Sequence, residues 1–209
     1  MTTHHLARAL EAQGYASILA LDPDVAVHSA TPDVDARAGS LSWISPRVLA
    51  AEPERLAAFA GSVLIAPSGA AELEVSGATV CIADSPKLAF TRAVEHALPH
   101  LVGDGWDVNG AARHPDADVD PSAVLAPGVV LGAGVRIGPG ARIGPNTCIA
   151  HTTVEEGASI GANCSIGLAG FGFSRDADGT LIQFPHLGRV RIGARAIVGS
   201  NTCIARVTL

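Results

Sequence analysis

The amino-acid sequence predicts two units of different class: a small α/β unit over residues 1–98, then a parallel β-helix over residues 119–209, joined by a linker at 99–118. Three observations carry this reading. Aliphatic residues recur every six positions in the second half, the composition changes character near residue 100, and the first half alternates short β-branched runs with Ala/Leu-rich stretches of helical spacing.

The opening HLARALEAQG places Leu6, Ala9 and Leu10 at helical spacing and stops at Gly14, a glycine exit that tolerates the left-handed backbone a helix end needs. DVAVHSA, SLSWIS, SVLIAPS and ATVCIAD are short, branched or alternating, and bounded by Pro, Ser, Asp or Gly, which predicts strands. PRVLAAEPERLAAFAG predicts a helix that Pro53 breaks or restarts, because proline cannot donate its backbone nitrogen to the preceding turn. SPKLAFTRAVEHAL predicts a helix with Ser85 as N-cap, Pro86 at the first helical position, and Leu88, Ala89, Ala93 and Leu98 among its apolar positions. PHLVGDGWDVNGAARHPDADVD has turn residues and little periodicity, and connects the two units.

The six-residue period then takes over. Val119, Leu125, Leu131, Ile137, Ile143 and Ile149 are evenly spaced, and after a one-residue slip Val154, Ile160 and Ile166 continue the series. Small or branched residues stand at Val129, Val135, Ala141, Thr147 and Thr153, and Gly132, Gly138 and Gly144 follow the aliphatics. Neither a helix nor an alternating strand has this period. A parallel β-helix does: each hexad is one short strand plus a corner, the aliphatic points inward, and Gly or Asn takes the corner. An insertion at 168–190 interrupts the series, which resumes at Ile192, Val198 and Ile204. Three of the chain's five phenylalanines, Phe171, Phe173 and Phe184, lie in it; they either contact an apolar ligand or pin the loop against a neighbouring subunit.

Composition excludes several function classes. No run approaches the roughly 20 apolar residues a bilayer span needs. The start MTTHHLARALEAQG lacks a basic stretch followed by an apolar one, so a cytoplasmic protein is expected. A net charge of −6 without a Lys/Arg cluster argues against nucleic acid. Cys81, Cys148, Cys164 and Cys203 form no CxxC pair and sit among apolar neighbours, so buried thiols are expected rather than a disulfide framework or a metal site.

The string NTCIA occurs at 146–150 and 201–205, followed by His151 and Arg206, which places both at one point of a coil with side chains expected to leave the same edge. His151 is a candidate general base or a solvated or capping residue, and His186 in FPHLGR carries the same two readings. Arg189 and Arg206 suit anion contact. GFGF at 170–173 is no phosphate loop, since no helix follows it.

A hexapeptide β-helix after a small α/β unit, broken by GFGF and an FPHLGRVRIG segment, resembles the UDP-3-O-acylglucosamine N-acyltransferases of lipid A biosynthesis. SLSWISPR resembles the family's nucleotide motif, and CIADSPKLAFTRAVEHAL the last strand and helix of that unit. Gly170 to Phe173, Pro185, Gly188 to Val190 and Asn201 to Ile204 follow its loop and next coil. The resemblance implies a left-handed β-helix, a homotrimer with sites between subunits, and transfer of a hydroxyacyl group from the phosphopantetheine of acyl carrier protein to the amine of a UDP-sugar, with no other cofactor. It implies substrate contacts at Trp43, Ser45, Phe171, Gly172, Phe173, Arg189 and Arg206, while His151 and His186 stay catalytic candidates on residue type alone. Ser45 and Val48 stand where the family has asparagine and tyrosine, His186 replaces a glutamine, and Ala205 and Val207 replace an acidic residue and a glycine. The family's catalytic histidine belongs to an Ile-Ala-His-Asn coil past the point reached by Leu209, so a fragment of a longer protein is expected. Two alternatives remain open: a related nucleotide-sugar acyltransferase using acyl-CoA, and a trimeric binding module without chemistry.

Overall fold

The computed structural model describes residues 1–21, 24–31, 36–72, 77–99 and 112–208. Residues 100–111 of the expected linker lie outside the described residues. The chain divides into two compact units. One holds the described residues of Met1–Val102 together with Gly172–Pro185, the other those of Gly103–Phe171 and His186–Thr208.

In the first unit a five-stranded sheet runs in the order β1 (Ser17–Ala20), β5 (Thr79–Ile82), β4 (Val63–Ala66), β3 (Ser40–Trp43), β2 (Ser29–Ala30). β2 to β5 are parallel, and only the edge pair β1 and β5 is antiparallel. β1, with sequence SILA, was not expected, because four residues beside a glycine exit carry too little pattern to mark a strand. Of DVAVHSA only Ser29–Ala30 is strand; Ala26 makes an isolated bridge to Thr2.

Helix α1 (Thr3–Ala12) is capped by Thr2, whose hydroxyl accepts from the His5 amide, and buries Thr3, Leu6, Ala7 and Leu10. The inward stripe therefore runs through Ala7 rather than Ala9. Gly14 at φ +75° closes it, with its amide donating to the Glu11 carbonyl. α2 (Pro46–Ala51) stops at Glu52, and a 3₁₀ turn restarts at Pro53, as the lost proline donor requires. α3 (Pro86–Ala97) has Ser85 as N-cap and buries Leu88, Ala89, Phe90, Ala93 and Val94. Ile44, Leu49, Leu56, Phe59, Leu64 and Val80 form one cluster of its core.

The second unit consists of three four-stranded parallel sheets, each visited once per coil, as a parallel β-helix requires. The first sheet joins β6 (Asp118–Val119), β9 (Arg136–Ile137), β12 (Thr152–Val154) and β17 (Val190–Ile192). The second joins β7 (Val124–Leu125), β10 (Arg142–Ile143), β13 (Ser159–Ile160) and β18 (Ile197–Val198). The third joins β8 (Val130–Leu131), β11 (Cys148–Ile149), β14 (Ser165–Leu168) and β19 (Cys203–Ala205). Leu131, Ile137, Ile143, Ile149, Val154, Ile160 and Ile166 are at most 3% exposed. Burying each contributes roughly 1.5–3 kcal/mol.

Three residues before most of these aliphatics the backbone turns left-handed. One corner uses Gly128, Asn146, Asn163 and Asn201, a second Gly140, Gly157 and Arg195, a third Gly134 and His151. Asn tolerates this conformation better than other side chains, which is why the repeats read Gly or Asn there. The one-residue slip falls in the third corner: Thr152, fully buried with its hydroxyl on the Ala150 carbonyl, takes the inner small position expected of the half-buried Thr153.

The insertion departs most from expectation. It is not an open loop but contains an antiparallel hairpin, β15 (Phe173–Arg175) with β16 (Leu181–Gln183), which belongs to the first compact unit. The expectation of buried thiols holds for Cys81 and Cys164, whereas Cys148 is half-buried and Cys203 exposed, because the latter two take the outward position of their strands.

Candidate functional site

The sequence candidates fall into three groups. In the β-helix, the third corner stacks Asp116, Gly134, His151 and Arg189 on successive rungs, since the strands that follow pair in the order β6, β9, β12, β17. The His151 amide donates to the Ala133 carbonyl at 2.8 Å, and the Val190 amide to the His151 carbonyl at 3.1 Å. His151 is half-buried at φ +46°. A guanidinium nitrogen of Arg189 donates to the Gly134 carbonyl, two rungs away, so its side chain crosses the His151 corner. The structure thus brings two candidates, His151 and Arg189, to one place. Asp116 completes the corner: both its carboxylate oxygens accept from the Gly134 amide, at 3.3 and 3.2 Å, and Oδ1 meets Nδ1 of His114.

His186 and Arg206 form the second group. Residues 186–188 return beside 206–208, with the Leu187 amide donating to Thr208 at 2.9 Å and the Gly188 amide to Val207 at 3.0 Å. Arg206, expected to leave the edge of the coil, is instead 4% exposed. The chain at 186–188 returns beside this end of the coil, a juxtaposition that hexad spacing alone does not encode. His186 is 7% exposed, and a Cβ on Gly170 would meet its Nε2 at 2.8 Å, so the ring packs closely over that glycine. His151 and Arg206 are therefore equivalent in sequence but not in exposure.

The third group lies in the first unit. Trp43 ends β3 half-buried, and its ring meets Phe184 edge-on with centroids 6.2 Å apart. Phe184, 2% exposed, stacks on Phe90 at 5.8 Å, with the Lys87 ammonium 4.8 Å from its centroid. Phe184 therefore pins the hairpin within its own chain; Phe173 is 37% and Phe171 95% exposed. Ser45 caps α2, its hydroxyl accepting from the Val48 amide at 3.2 Å. Gly172 accepts from the Phe184 amide through its carbonyl at 2.8 Å and so closes the base of the hairpin.

Residues that the sequence reading missed hold this hairpin. Arg92 donates to Asp176 Oδ2 at 2.5 Å, and Tyr15 Oη reaches the same oxygen at 3.4 Å. The Arg92 guanidinium, with the Ala177 amide, holds the Asp176 carboxyl below its ordinary range. His114, Asp116, Arg136 and Thr153 were also missed. Asp116 was findable, because it precedes Val119 by the interval that separates His151 from Val154.

No helix among the described residues is long and apolar enough to cross a membrane. Among the same residues no group of three or more His, Cys, Asp or Glu side chains could hold a metal ion.

No protein-family model matches the chain. Curated proteins do. A UDP-3-O-acylglucosamine N-acyltransferase of Paracidovorax citrulli (strain AAC00-1) is 36% identical over 200 residues, covering 89% of this chain and 56% of its own length. UDP-3-O-acylglucosamine N-acyltransferase 1 of Francisella tularensis subsp. holarctica (strain OSU18) is 44% identical over 54 residues, or 25% of this chain and 16% of the relative. The enzyme of that name from Methylococcus capsulatus (strain ATCC 33009 / NCIMB 11132 / Bath) is 42% identical over 52 residues, or 25% and 15%. The chain is a homologue of these proteins and spans little more than half the length of the first.

Proposed function

We propose that the protein, a homologue of the UDP-3-O-acylglucosamine N-acyltransferases, transfers a hydroxyacyl group from acyl carrier protein to the amine of a UDP-linked acylglucosamine. The observation that carries the reading is the 36% identity to a protein of that name over 89% of the chain. The stacked three-sheet coil is compatible with it. The finer features follow the same resemblance: a left-handed coil, a cytoplasmic homotrimer, and a donor whose phosphopantetheine thioester is the only carrier needed.

Chemically, the acceptor amine attacks the thioester carbonyl, a base removes the ammonium proton of the tetrahedral intermediate, and the thiolate leaves and is protonated. Of the two histidine candidates, His151 is the more exposed residue, half-buried against 7% for His186, although its Nε2 nitrogen is itself buried. His186 then acts as a positioning residue beside Gly170. Trp43 offers an aromatic face to the nucleobase, Ser45 and Gly172 border that region, and Phe171 and Phe173 offer apolar contact to the acyl chain. Arg189 supplies positive charge, whereas Arg206, 4% exposed, is buried.

The test is a titration with UDP-N-acetylglucosamine followed by Trp43 fluorescence, with Trp43→Ala as control, together with a transfer assay using acyl carrier protein and acyl-CoA donors. Saturable quenching lost in the variant, and turnover with the carrier-protein donor, are expected. Turnover with acyl-CoA alone would favour the related acyltransferase, for which the replaced uridine-motif positions Ser45 and Val48 are the specific support.

A further inference from the structure

We propose that a groove on the first sheet of the β-helix binds a phosphate group. The groove, about 470 Å³, is lined by Asp116, Gly134, Val135, Arg136, Thr153 and Arg189. Two guanidinium groups and a hydroxyl line one hollow on a chain whose net charge is −6.

The placement follows from the coil. Arg136 and Thr153 pair directly across β9 and β12 at the outward position, so their side chains leave the same face from neighbouring rungs. Arg189 enters from the corner and is fixed there by its bond to the Gly134 carbonyl, which uses a fraction of its five N–H donors. The Arg136 side chain forms no hydrogen bond or ion pair with any described residue. Elsewhere on this sheet the situation is the opposite: Arg191 donates through Nε to Glu155 Oε1 at 2.6 Å, and Glu155 also takes the Ala194 amide at 2.9 Å. Arg136 and Arg189 thus keep donors facing the groove, whereas the neighbouring guanidinium is committed.

Two carboxylates stand nearby. Asp116 lines the groove, but its oxygens already take the Gly134 amide and the His114 ring. Asp118 pairs with Arg136 on the neighbouring rung and faces an adjoining hollow that Arg136 and Thr153 also line, with Asp120, Glu155 and Glu156. Arg136 therefore stands between an acidic hollow and a basic one and lines both. A guanidinium fork and a hydroxyl match the tetrahedral oxygens of a phosphate better than the single charge of a halide, and the charge-assisted bonds would be the strong ones.

The source is either free phosphate or a phosphate carried on a nucleotide, and calorimetry on the 209-residue chain at low ionic strength distinguishes them. Inorganic phosphate and uridine diphosphate are titrated separately into the native chain, Arg136→Gln and Thr153→Val, with far-UV circular dichroism confirming that each variant is folded. Both positions face outward, so the fold is retained. Saturable phosphate binding is expected, weakened about tenfold or more by R136Q, several-fold by T153V, and weakened by added NaCl. An equal R136Q loss for uridine diphosphate assigns the groove to a nucleotide phosphate; a loss confined to inorganic phosphate assigns it to the free anion. Absence of saturable phosphate heat in the native chain, or unchanged affinity in R136Q, overturns the assignment. Neither result depends on the acyl-transfer reading, which Trp43 fluorescence and turnover report by themselves.

Discussion

In the β-helix every inward position has the same task, while in the first unit each does something different. Ile143, Ile149, Val154 and Ile160 are interchangeable rungs, each an aliphatic over an aliphatic, with the backbone turning at a residue three positions before. The first unit gathers Phe59, Leu49, Leu56 and Val80 from three separate segments, and it borrows Phe184 from a hairpin far along the chain. A periodic core is specified by local repetition; an aperiodic one is specified by contacts between distant residues. The two should fail differently when disturbed.

The largest effect is expected where the coil has no slack. A Cβ on Gly167 would lie 1.7 Å from the Ala150 carbonyl oxygen, and its φ is +78°. Gly167→Ala is expected to cost more than about 4 kcal/mol and to leave little folded protein. Gly140→Ala, with open space around a φ of +63°, should cost about 1–2 kcal/mol. Thermal unfolding followed by circular dichroism checks both, and similar midpoints for the two variants would break the view that close backbone approach governs the coil.

Next comes the borrowed aromatic. Phe184→Ala removes a fully packed ring and is expected to cost about 3–5 kcal/mol, with faster hydrogen exchange in β3, β4 and α3. Ile149→Ala should cost about 2–5 kcal/mol, with exchange rising in β8, β11 and β14. If F184A leaves exchange in the first unit unchanged, the hairpin is not part of its core.

These contrasts explain what could be read in advance. Twelve aliphatics from Val119 to Ile204 announce the coil because each strand needs only its own hexad, and Ser85 and Pro53 announce helix boundaries through bonds made within a few residues. The burial of Arg206 and the docking of Phe184 were not legible, since both depend on where a twenty-residue excursion goes after leaving β14. At the candidate site His151 and Arg189 were legible as residue types, but their meeting needed the rung order. His151 also has a plain structural reading, at a left-handed corner position that Gly134 fills one rung earlier, and that explains why residue type alone left its role open.

The smallest effect is electrostatic. Asp176 is held below its ordinary value of 3.8 by Arg92, so it binds fewer protons in the folded chain than in the unfolded one. Its contribution is present above that ordinary value and is lost as pH falls through the lower folded value. Stability measured between neutral pH and strong acid should therefore fall less steeply at the acid end for Asp176→Asn than for the native chain, the difference shrinking with added salt. Identical acid limbs would show that the ion pair contributes nothing to holding the hairpin.

The hairpin's address has a consequence for biosynthesis. Leu98 leaves the ribosome well before Gly172 does, and at ~5–20 residues per second the delay is roughly 4–15 s. During that interval Phe90 and Trp43 wait without the ring that will cover them, so nascent polypeptide displays a greasy cleft that chaperones or misassembly can exploit. Translation pauses ahead of codon 172 would lengthen that exposure, and synonymous changes there would alter yield without altering the finished molecule.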